Sequence, residues 1–160
     1  MENLIGRSVQ AEKIWAGEIT PTSDLADNNV ALVKRLFEEV WNKGNYSLVN
    51  DLLAPDFVDH NHLPGAPDGR EGFWGGVNMI RTAFPDIKFS IDQIVVEDDR
   101  LAIRLTGLGT HKGDFMGISP TGKQVSLESM TFFHIENGKI AERWGISDIP
   151  RVMQQLEAKG

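Results

Sequence analysis

Apolar side chains recur every three or four residues in the first half of the chain, which is the spacing of one helical face. The segment from Asn28 to Lys43 is the clearest case, and Gly44 follows it with the residue type that commonly ends a helix. A short amphipathic stretch ends before Pro55, and a longer one runs from Gly69 to Phe84. We therefore expect about three helices in this half. Their apolar faces comprise Val33, Phe37, Val40, Trp41, Leu48, Val49, Leu52, Leu53, Phe73, Val77, Ile80 and Phe84.

The second half of the chain changes to the alternating pattern of β-strands, separated by turn residues rich in Asp, Asn, Pro and Gly. The predicted strands are Phe89–Glu97, Leu101–Gly109, Lys123–Ile135 and Lys139–Ile146. A final amphipathic helix follows Pro150. A helix-rich block before a strand-rich block predicts an α+β domain with helices on one face of an antiparallel sheet.

One predicted strand carries large apolar groups on both of its faces. Successive side chains of a strand point to opposite sides. One face therefore holds Val125, Leu127, Ser129, Thr131 and Phe133, and the other holds Ser126, Glu128, Met130, Phe132 and His134. Because helices are available for one face, the second is expected to meet another copy of the chain, most simply in a C2 homodimer. The alternative is that the N-terminal segment covers it.

That N-terminal segment, residues 1–23, is weakly amphipathic and ends in the linker-like Pro21-Thr22-Ser23. We expect it to form an arm outside a single domain that spans residues 24–160. It carries charges throughout and no continuous apolar run, so neither a signal peptide nor a membrane-spanning segment is expected.

Charge and cysteine content narrow the possible partners. The formal net charge of -7 argues against binding to nucleic acid or to an anionic membrane, because phosphates repel such a chain. A cysteine count of 0 leaves no disulfide, thiolate metal site or cysteine nucleophile, and it fits a cytoplasmic location. A small-molecule ligand is the partner class that remains.

Four stretches, in order along the chain from about Asn29 to Glu157, carry a family resemblance. They are PDFVDHNHLPGAPDGREGF, FPDIKFSIDQIVVEDDRLAIR, GTHKGDFMGISPTGKQV and IENGKIAERWGISDIPRVMQQLE. Together they resemble the SnoaL-like polyketide (ester) cyclases of the nuclear-transport-factor-two-like fold. The resemblance implies a cone, in which a curved sheet wraps around helices and encloses a deep pocket. It also implies intramolecular aldol chemistry without a metal or an organic cofactor.

The chain departs from those cyclases at the positions that matter most for catalysis. Their acid–base carboxylate lies three residues before an aspartate that matches Asp148, and the corresponding residue here is Gly145. A histidine and a glutamine that assist in the cyclases fall on Thr131 and Ser129, whose hydroxyls can bind a carbonyl oxygen but cannot act unaided as bases.

The segment Asp59-His60-Asn61-His62 is the densest polar cluster and supplies the candidate acid–base groups. Asp59 matches a polar pocket position of the cyclases, and an imidazole such as His60 suits proton transfer near neutral pH. In an extended segment His60 and His62 share one face and Asp59 points the opposite way. The alternatives are a solvated loop, in which Asp59 caps a turn, and a metal site of two imidazoles and a carboxylate. No further ligand spacing supports the metal site, so none is expected.

Asp148 has two competing roles. It is a third catalytic candidate, but it also lies directly before Ile149-Pro150 at the start of the last helix. Aspartate is a favoured N-cap and proline is tolerated in the first helical turn, so capping is the stronger interpretation.

Aromatic residues provide candidate walls for the pocket. Together with His62, Ser129 and Thr131, the expected ligand-binding residues are Trp41, Phe57, Trp74 and Trp144. Apolar linings with a few polar groups are typical of small-molecule sites, although the same residues would also suit a filled core.

Three functions remain open on these grounds. The first is an enzyme that cyclises or isomerises an apolar carbonyl compound with Asp59 and His60 as acid–base residues. The second is a non-catalytic binding or accessory protein, which Gly145 favours. The third is hydration or hydrolysis, with Asp59 positioning water.

Overall fold

The computed structural model describes residues 24–63 and 65–159 of the chain, so the predicted arm lies outside the described residues. In chain order, α1 (Asp24–Arg35) continues as a π-helical segment (Leu36–Trp41), and a 3-10 turn (Tyr46–Leu48) leads into the short α2 (Val49–Leu52). Then follow β1 (Leu53–Asp59), α3 (Gly69–Ala83), β2 (Lys88–Glu97), β3 (Arg100–Thr110), β4 (Gln124–Glu136), β5 (Lys139–Ser147) and α4 (Ile149–Glu157).

The five strands form one sheet in the order β1-β5-β4-β3-β2. The pairs β2–β3, β3–β4 and β4–β5 are antiparallel, whereas β1 runs parallel to β5. The predicted α+β class is therefore confirmed, and the four predicted strands are present.

The sequence interpretation missed β1 and extended the preceding helix to Leu53. The backbone of Leu53 is already extended, with φ -98 and ψ 143, and the chain continues as a strand through Pro55. Proline has no N–H to donate and is tolerated in an edge strand. Because β1 lies at the edge of the sheet, Pro55 stops the helix without preventing a strand.

The first helix also differs from its prediction. The pattern predicted a uniform helix to Lys43, but α1 widens into the π-helical segment and ends at Trp41. A π-turn shifts the phase of the helical face. Gly44 ends the segment as expected, with a φ of 71°.

The alternation predicted for β4 is confirmed, and it defines two faces of the sheet. The inner face carries Val125, Leu127, Ser129, Thr131 and Phe133, all of them buried. Residues of α1 and α3 join the apolar members of this face in one continuous core. The outer face carries Glu128, Met130, Phe132 and His134 of β4. On this face the side chains of Met130 and Phe132 are exposed.

The loop between β3 and β4 is held by the fully buried His111. Its Nδ1 accepts a hydrogen bond from Thr121 N (3.2 Å), and its backbone pairs with Lys123 and Gly122. The loop also caps α3, because Lys112 N and Gly113 N both donate to Ala83 O. These contacts fit a structural role for His111.

None of the helices within residues 24–63 and 65–159 is long and apolar enough to span a membrane.

Candidate active site

An interior cavity lies between the inner face of the sheet, the π-helical end of α1 and α3. It has two adjoining compartments of about 180 Å³ and 50 Å³. Residues that line both are Trp41, Ile80, Arg143, Ser147 and Ile149. Asp59, Asn61, His62, Phe73 and Gly145 line the larger compartment, whereas Ser129 and Thr131 line the smaller one. Polar groups from β1, β4 and β5 therefore meet on an otherwise apolar wall.

Asp59 and Arg143 form a buried ion pair in the larger compartment. Arg143 Nη1 donates to Asp59 Oδ2 at 2.8 Å, and the two side chains are only 14% and 4% exposed. The pair follows from the sheet, because Asp59 and Arg143 are register partners in the parallel β1–β5 ladder. Asp59 Oδ1 also accepts a hydrogen bond from Asn61 N (3.1 Å). The carboxylate is thus held by two donors.

The guanidinium of Arg143 occupies the space beside Gly145. A Cβ built on Gly145 would lie 2.6 Å from Arg143 Cζ, which is closer than real Cβ contacts come, and closer still to Nη2. The guanidinium also lies over the ring of Phe73, with Cζ 5.8 Å from the ring centroid. The missing side chain at position 145 therefore makes room for a cation.

His62 lies in the cavity wall because the chain turns directly after β1. The strand ends at Asp59, and the Asn61 N–H that bonds Asp59 Oδ1 closes a turn. The extended segment that would have pointed Asp59 away from His62 is therefore not formed. Asp59 caps a turn, as in the alternative interpretation, and His62 lines the cavity. His62 Nδ1 lies 2.9 Å from the Asp59 backbone oxygen. A carbonyl oxygen only accepts, so Nδ1 carries the proton and Nε2 keeps its lone pair in the neutral ring.

His60 lies on the outer face, on the opposite side of the sheet from the cavity. Its ring stacks on Trp144 with centroids 4.4 Å apart, and its Nε2 lies 3.1 Å from Glu142 Oε1. The expected cooperation of Asp59 with His60 therefore does not fit the geometry, because strand alternation sends these neighbours to opposite faces. The expectation that Trp144 forms a cavity wall fails for the same reason.

Glu142 links His60 to a second histidine of the outer face. Glu142 Oε2 lies 2.8 Å from His134 Nδ1, and His134 Nε2 lies 3.1 Å from Asp99 Oδ2. Hydrogen bonds from His134 first, and then from His60, lower the pKa of Glu142 below its usual value. Within the described residues, no group of three His, Asp or Glu side chains is arranged to hold a metal ion.

Asp148 caps α4. Its Oδ1 accepts a hydrogen bond from Arg151 N at 3.1 Å, with Pro150 in the first turn of the helix. Asp148 is absent from the residues that line the cavity, so this geometry favours the capping interpretation over the catalytic one.

The remaining expected ligand-binding residues divide between wall and core. Trp41 lines both compartments, and the hydroxyls of Ser129 and Ser147 lie 2.7 Å apart at the narrow end. Phe57 is buried against Phe73 instead of facing the cavity, and Trp74 packs against Tyr46. Both belong to the packing around the cavity and do not line it.

Sequence reasoning missed Arg143 and Ser147, although a usable signal was present. Both lie two residues from Gly145, which the family resemblance had already placed in the pocket. Residues two apart on a strand share a face. Applying that rule to β5 would have put all three side-chain positions in the cavity wall.

The model of the SnoaL-like polyketide cyclase family matches residues 31–156, which is most of the chain and includes every polar group of the cavity. The chain belongs to this family. The earlier resemblance is thereby confirmed, together with the fold that it implied.

Curated relatives and solved structures agree with this membership. Aklanonic acid methyl ester cyclase AcmA of Streptomyces galilaeus is 27% identical over 79% of this chain and 89% of its own. Nogalonic acid methyl ester cyclase of Streptomyces nogalater is 24% identical over 72% and 88%. Among solved structures, IdmH of Streptomyces antibioticus is 32% identical with a TM-score of 0.72, covering 81% of this chain and 99% of IdmH. TsrD of Streptomyces laurentii is 26% identical with a TM-score of 0.74, covering 83% and 97%.

Proposed function

We propose that this SnoaL-like protein closes a ring in a small carbonyl-containing polyketide-type substrate by an intramolecular aldol reaction. The observation that carries the proposal is the orientation of His62 in the cavity wall. Its Nδ1 donates to the Asp59 carbonyl, and its Nε2 lies 3.6 Å from the exposed Asp68 carboxylate, beyond hydrogen-bond length. The chain's own side chains supply the acid and the base, so no cofactor enters the proposed step. The absence of any cysteine suits a reducing cytoplasm, where we propose that the protein acts.

His62 takes the role that the sequence interpretation gave to His60. A general base has to lie within reach of the acidic proton and be held in one tautomer. His62 meets both requirements, since it lines the cavity and its Nδ1 proton is bound. Asp59 supports it indirectly, because the same residue accepts the Nδ1 proton with its backbone oxygen and anchors Arg143 with its side chain.

The proposed step conserves every atom of the substrate. His62 Nε2 removes a proton from the carbon next to one carbonyl group, and the resulting enolate carbon attacks a second carbonyl carbon of the same molecule. One carbon–carbon bond forms, the second carbonyl oxygen becomes an alkoxide, and that oxygen receives the proton. The Ser129–Ser147 hydroxyl pair is suited to bind a carbonyl oxygen at the narrow end. The product is an isomer of the substrate.

The test compares the two histidines that flank Asn61. Purified protein is incubated with aklanonic acid methyl ester, nogalonic acid methyl ester and smaller 1,5-diketones, and products of unchanged mass are sought by liquid chromatography and mass spectrometry. We expect His62→Gln to lower kcat by about 10²- to 10⁴-fold, which is the usual contribution of general acid–base catalysis. His60→Gln is the matched control, because His60 lies on the outer face, and it should leave kcat nearly unchanged.

Three outcomes would reject this assignment. Equal turnover of His62→Gln and the wild type would remove His62 as the base. Saturable binding of these compounds without any ring closure would favour the non-catalytic alternative, in which the protein only binds or stores its ligand. Incorporation of solvent oxygen into a product would favour hydration or hydrolysis instead.

We also propose that the protein is a homodimer that pairs through the outer face of the sheet. Exposed apolar side chains from three strands lie together there, with Met130 65%, Phe132 45% and Ile146 71% exposed, beside Val95. Contiguous apolar patches of this kind mark interfaces, and a second copy presents the same self-complementary patch. In the alternative, the arm at residues 1–23 covers this face instead, and those residues lie outside the described part of the chain.

A further inference from the structure

We propose that Arg143 is the oxyanion-binding group of this cavity, and that Gly145 is required because it makes room for the guanidinium. This inference rests on the proposed ring closure, and it assigns the substrate class more narrowly. The ligand presents a carbonyl oxygen to Arg143 Nη2 and becomes an enolate there, whereas the carboxylate of the related cyclases is replaced by a cation.

The first support is the set of hydrogen-bond donors that Arg143 leaves unused. Nη1 bonds Asp59, but Nε is buried without a hydrogen-bond partner, and no partner for Nη2 occurs among the described residues. A second cavity-lining residue, Trp41, likewise has a buried donor, Nε1, without an acceptor. An unpaired buried donor costs about 1–3 kcal/mol. Unpaired donors in the cavity wall are suited to bind a ligand oxygen.

The second support is the rigidity of the guanidinium. Arg143 is fixed by its ion pair with Asp59 on one side and by the ring of Phe73 on another. Electrostatic stabilisation of a developing charge is most effective when the donor is already oriented before the reaction. Both anchors come from elements of the fold, β1 and α3, so the orientation does not depend on the ligand.

The third support is the reciprocal relation between positions 143 and 145. A Cβ at Gly145 would overlap the guanidinium in its present position, so the guanidinium would have to move away from Asp59 or Phe73. A carboxylate at position 145 and a guanidinium from position 143 therefore compete for the same space. The residue that seemed to disqualify the chain as an enzyme is the one that admits a different catalytic group.

The charges of the cavity suit a substrate that binds neutral and becomes an enolate there. Asp59 balances Arg143, so the ion pair is formally neutral before the ligand binds. Proton transfer from the ligand to His62 then creates a cation and an enolate together, and the enolate oxygen faces Arg143. Total charge in the cavity does not change during this step, which limits the cost of doing it away from water.

The test uses 4-nitrophenol as a probe, because its phenolate absorbs visible light and mimics an enolate oxygen without needing turnover. In wild-type protein we expect the bound probe to ionise at a pH lower by about 1 to 3 pH units than in water, as for an acid beside an opposite charge. In Asp59→Asn/Arg143→Met the charges are removed together, and the bound probe should stay neutral at least to the pH at which it ionises in water. Asp59→Asn alone keeps the cation without its counter-charge, and it should lower that pH further.

Two further variants complete the design, Gly145→Ala in the cavity and Arg104→Met on the outer face. Gly145→Ala keeps both charges but displaces the guanidinium, so the shift should shrink. Arg104→Met removes an arginine that bonds Gln93 outside the cavity, and the shift should persist. The proposal is overturned if the probe shows no saturable binding at millimolar concentration, or if it ionises alike in wild type and in the double variant. Because the probe requires no base, failure here leaves the His62 assignment standing, and an inactive enzyme leaves this measurement valid.

Discussion

Each side of the β1–β5 ladder carries one pair of hydrogen-bonded ionisable side chains, and the two pairs differ in their exposure to solvent. On the inner side, Asp59 faces Arg143 at 2.8 Å with both side chains largely buried. On the outer side, one residue along each strand, His60 faces Glu142 at 3.1 Å with side chains 36% and 31% exposed. Parallel register supplies the inner pair, since Asp59 is opposite Arg143. Glu142 is opposite Val58, so it reaches His60 diagonally, just beyond the end of β1.

The two pairs differ in whether solvent can reach a charge that has lost its partner. A partner removed from the outer pair leaves a charge that solvent can still reach, so the pair is worth little to stability. A partner removed from the inner pair leaves a charge in an apolar cavity, where it is strongly unfavourable. The inner pair is therefore expected to be both the more costly to break and the more useful for chemistry.

Breaking the inner pair should have the largest effect. Arg143→Met is expected to lower the free energy of unfolding by about 3–5 kcal/mol, because it leaves Asp59 buried and unpaired. Asp59→Asn/Arg143→Met should recover most of that loss, since no buried charge remains. The outer counterpart, Glu142→Gln, should lower it by less than about 1 kcal/mol. Urea unfolding followed by circular dichroism measures all three, and equal losses for the inner and outer single variants would contradict the comparison.

Charging the outer face tests what that face is for. Phe132→Glu or Ile146→Glu places a carboxylate in the proposed dimer interface and should raise the dimer dissociation constant at least about tenfold, since 1.4 kcal/mol already has that effect. Size-exclusion chromatography with light scattering over a dilution series gives the constant. Leu108→Glu is the control, since Leu108 is also exposed but does not belong to the apolar patch formed by Met130, Phe132, Ile146 and Val95. A wild-type chain that stays monomeric at every concentration would exclude this dimer.

The same two faces show how far the sequence could be interpreted. Alternation in β4 is a local property, so it correctly placed Ser129 and Thr131 inside and Met130 and Phe132 outside. The turn after β1 is not visible in that pattern, because it depends on one hydrogen bond from Asn61 N to the Asp59 side chain. An extended segment would have put Asp59 and His62 on opposite faces, whereas both line the cavity. Single polar contacts of this kind have no periodic signature in a sequence.

The Asp59–Arg143 ion pair could not be predicted from the sequence for a different reason. Asp59 and Arg143 are 84 residues apart, and they meet only because β1 pairs with β5. Pro55 concealed that strand, and without it no pattern joins the two residues. The family resemblance supplied the pocket position of Gly145, but it drew attention to the missing carboxylate and away from the neighbour that occupies its space.

The smallest expected effect is the pH dependence that Glu142 of the outer pair gives to the free energy of unfolding. Hydrogen bonds from His134 and then His60 lower the pKa of Glu142 below the ordinary value of a glutamate side chain. A carboxyl whose pKa is lower in the folded chain stabilises it above the unfolded pKa, and that contribution is lost as the pH falls through the folded value. The stability difference between wild type and Glu142→Gln should therefore be present above about pH 4.5 and shrink as the pH falls below it.

The two histidines allow this dependence to be divided. His134→Gln removes the donor with the larger influence on Glu142 and should flatten the acid dependence more than His60→Gln does. Thermal unfolding at half-unit pH steps would resolve the order. A greater effect of His60→Gln would mean that His60 is the more important partner of Glu142. Its stacking on Trp144 would then orient the ring better than the 3.1 Å distance from Nε2 to Glu142 Oε1 indicates. If neither variant changes the dependence, the outer ladder contributes through packing alone, and only the inner pair is electrostatic in character.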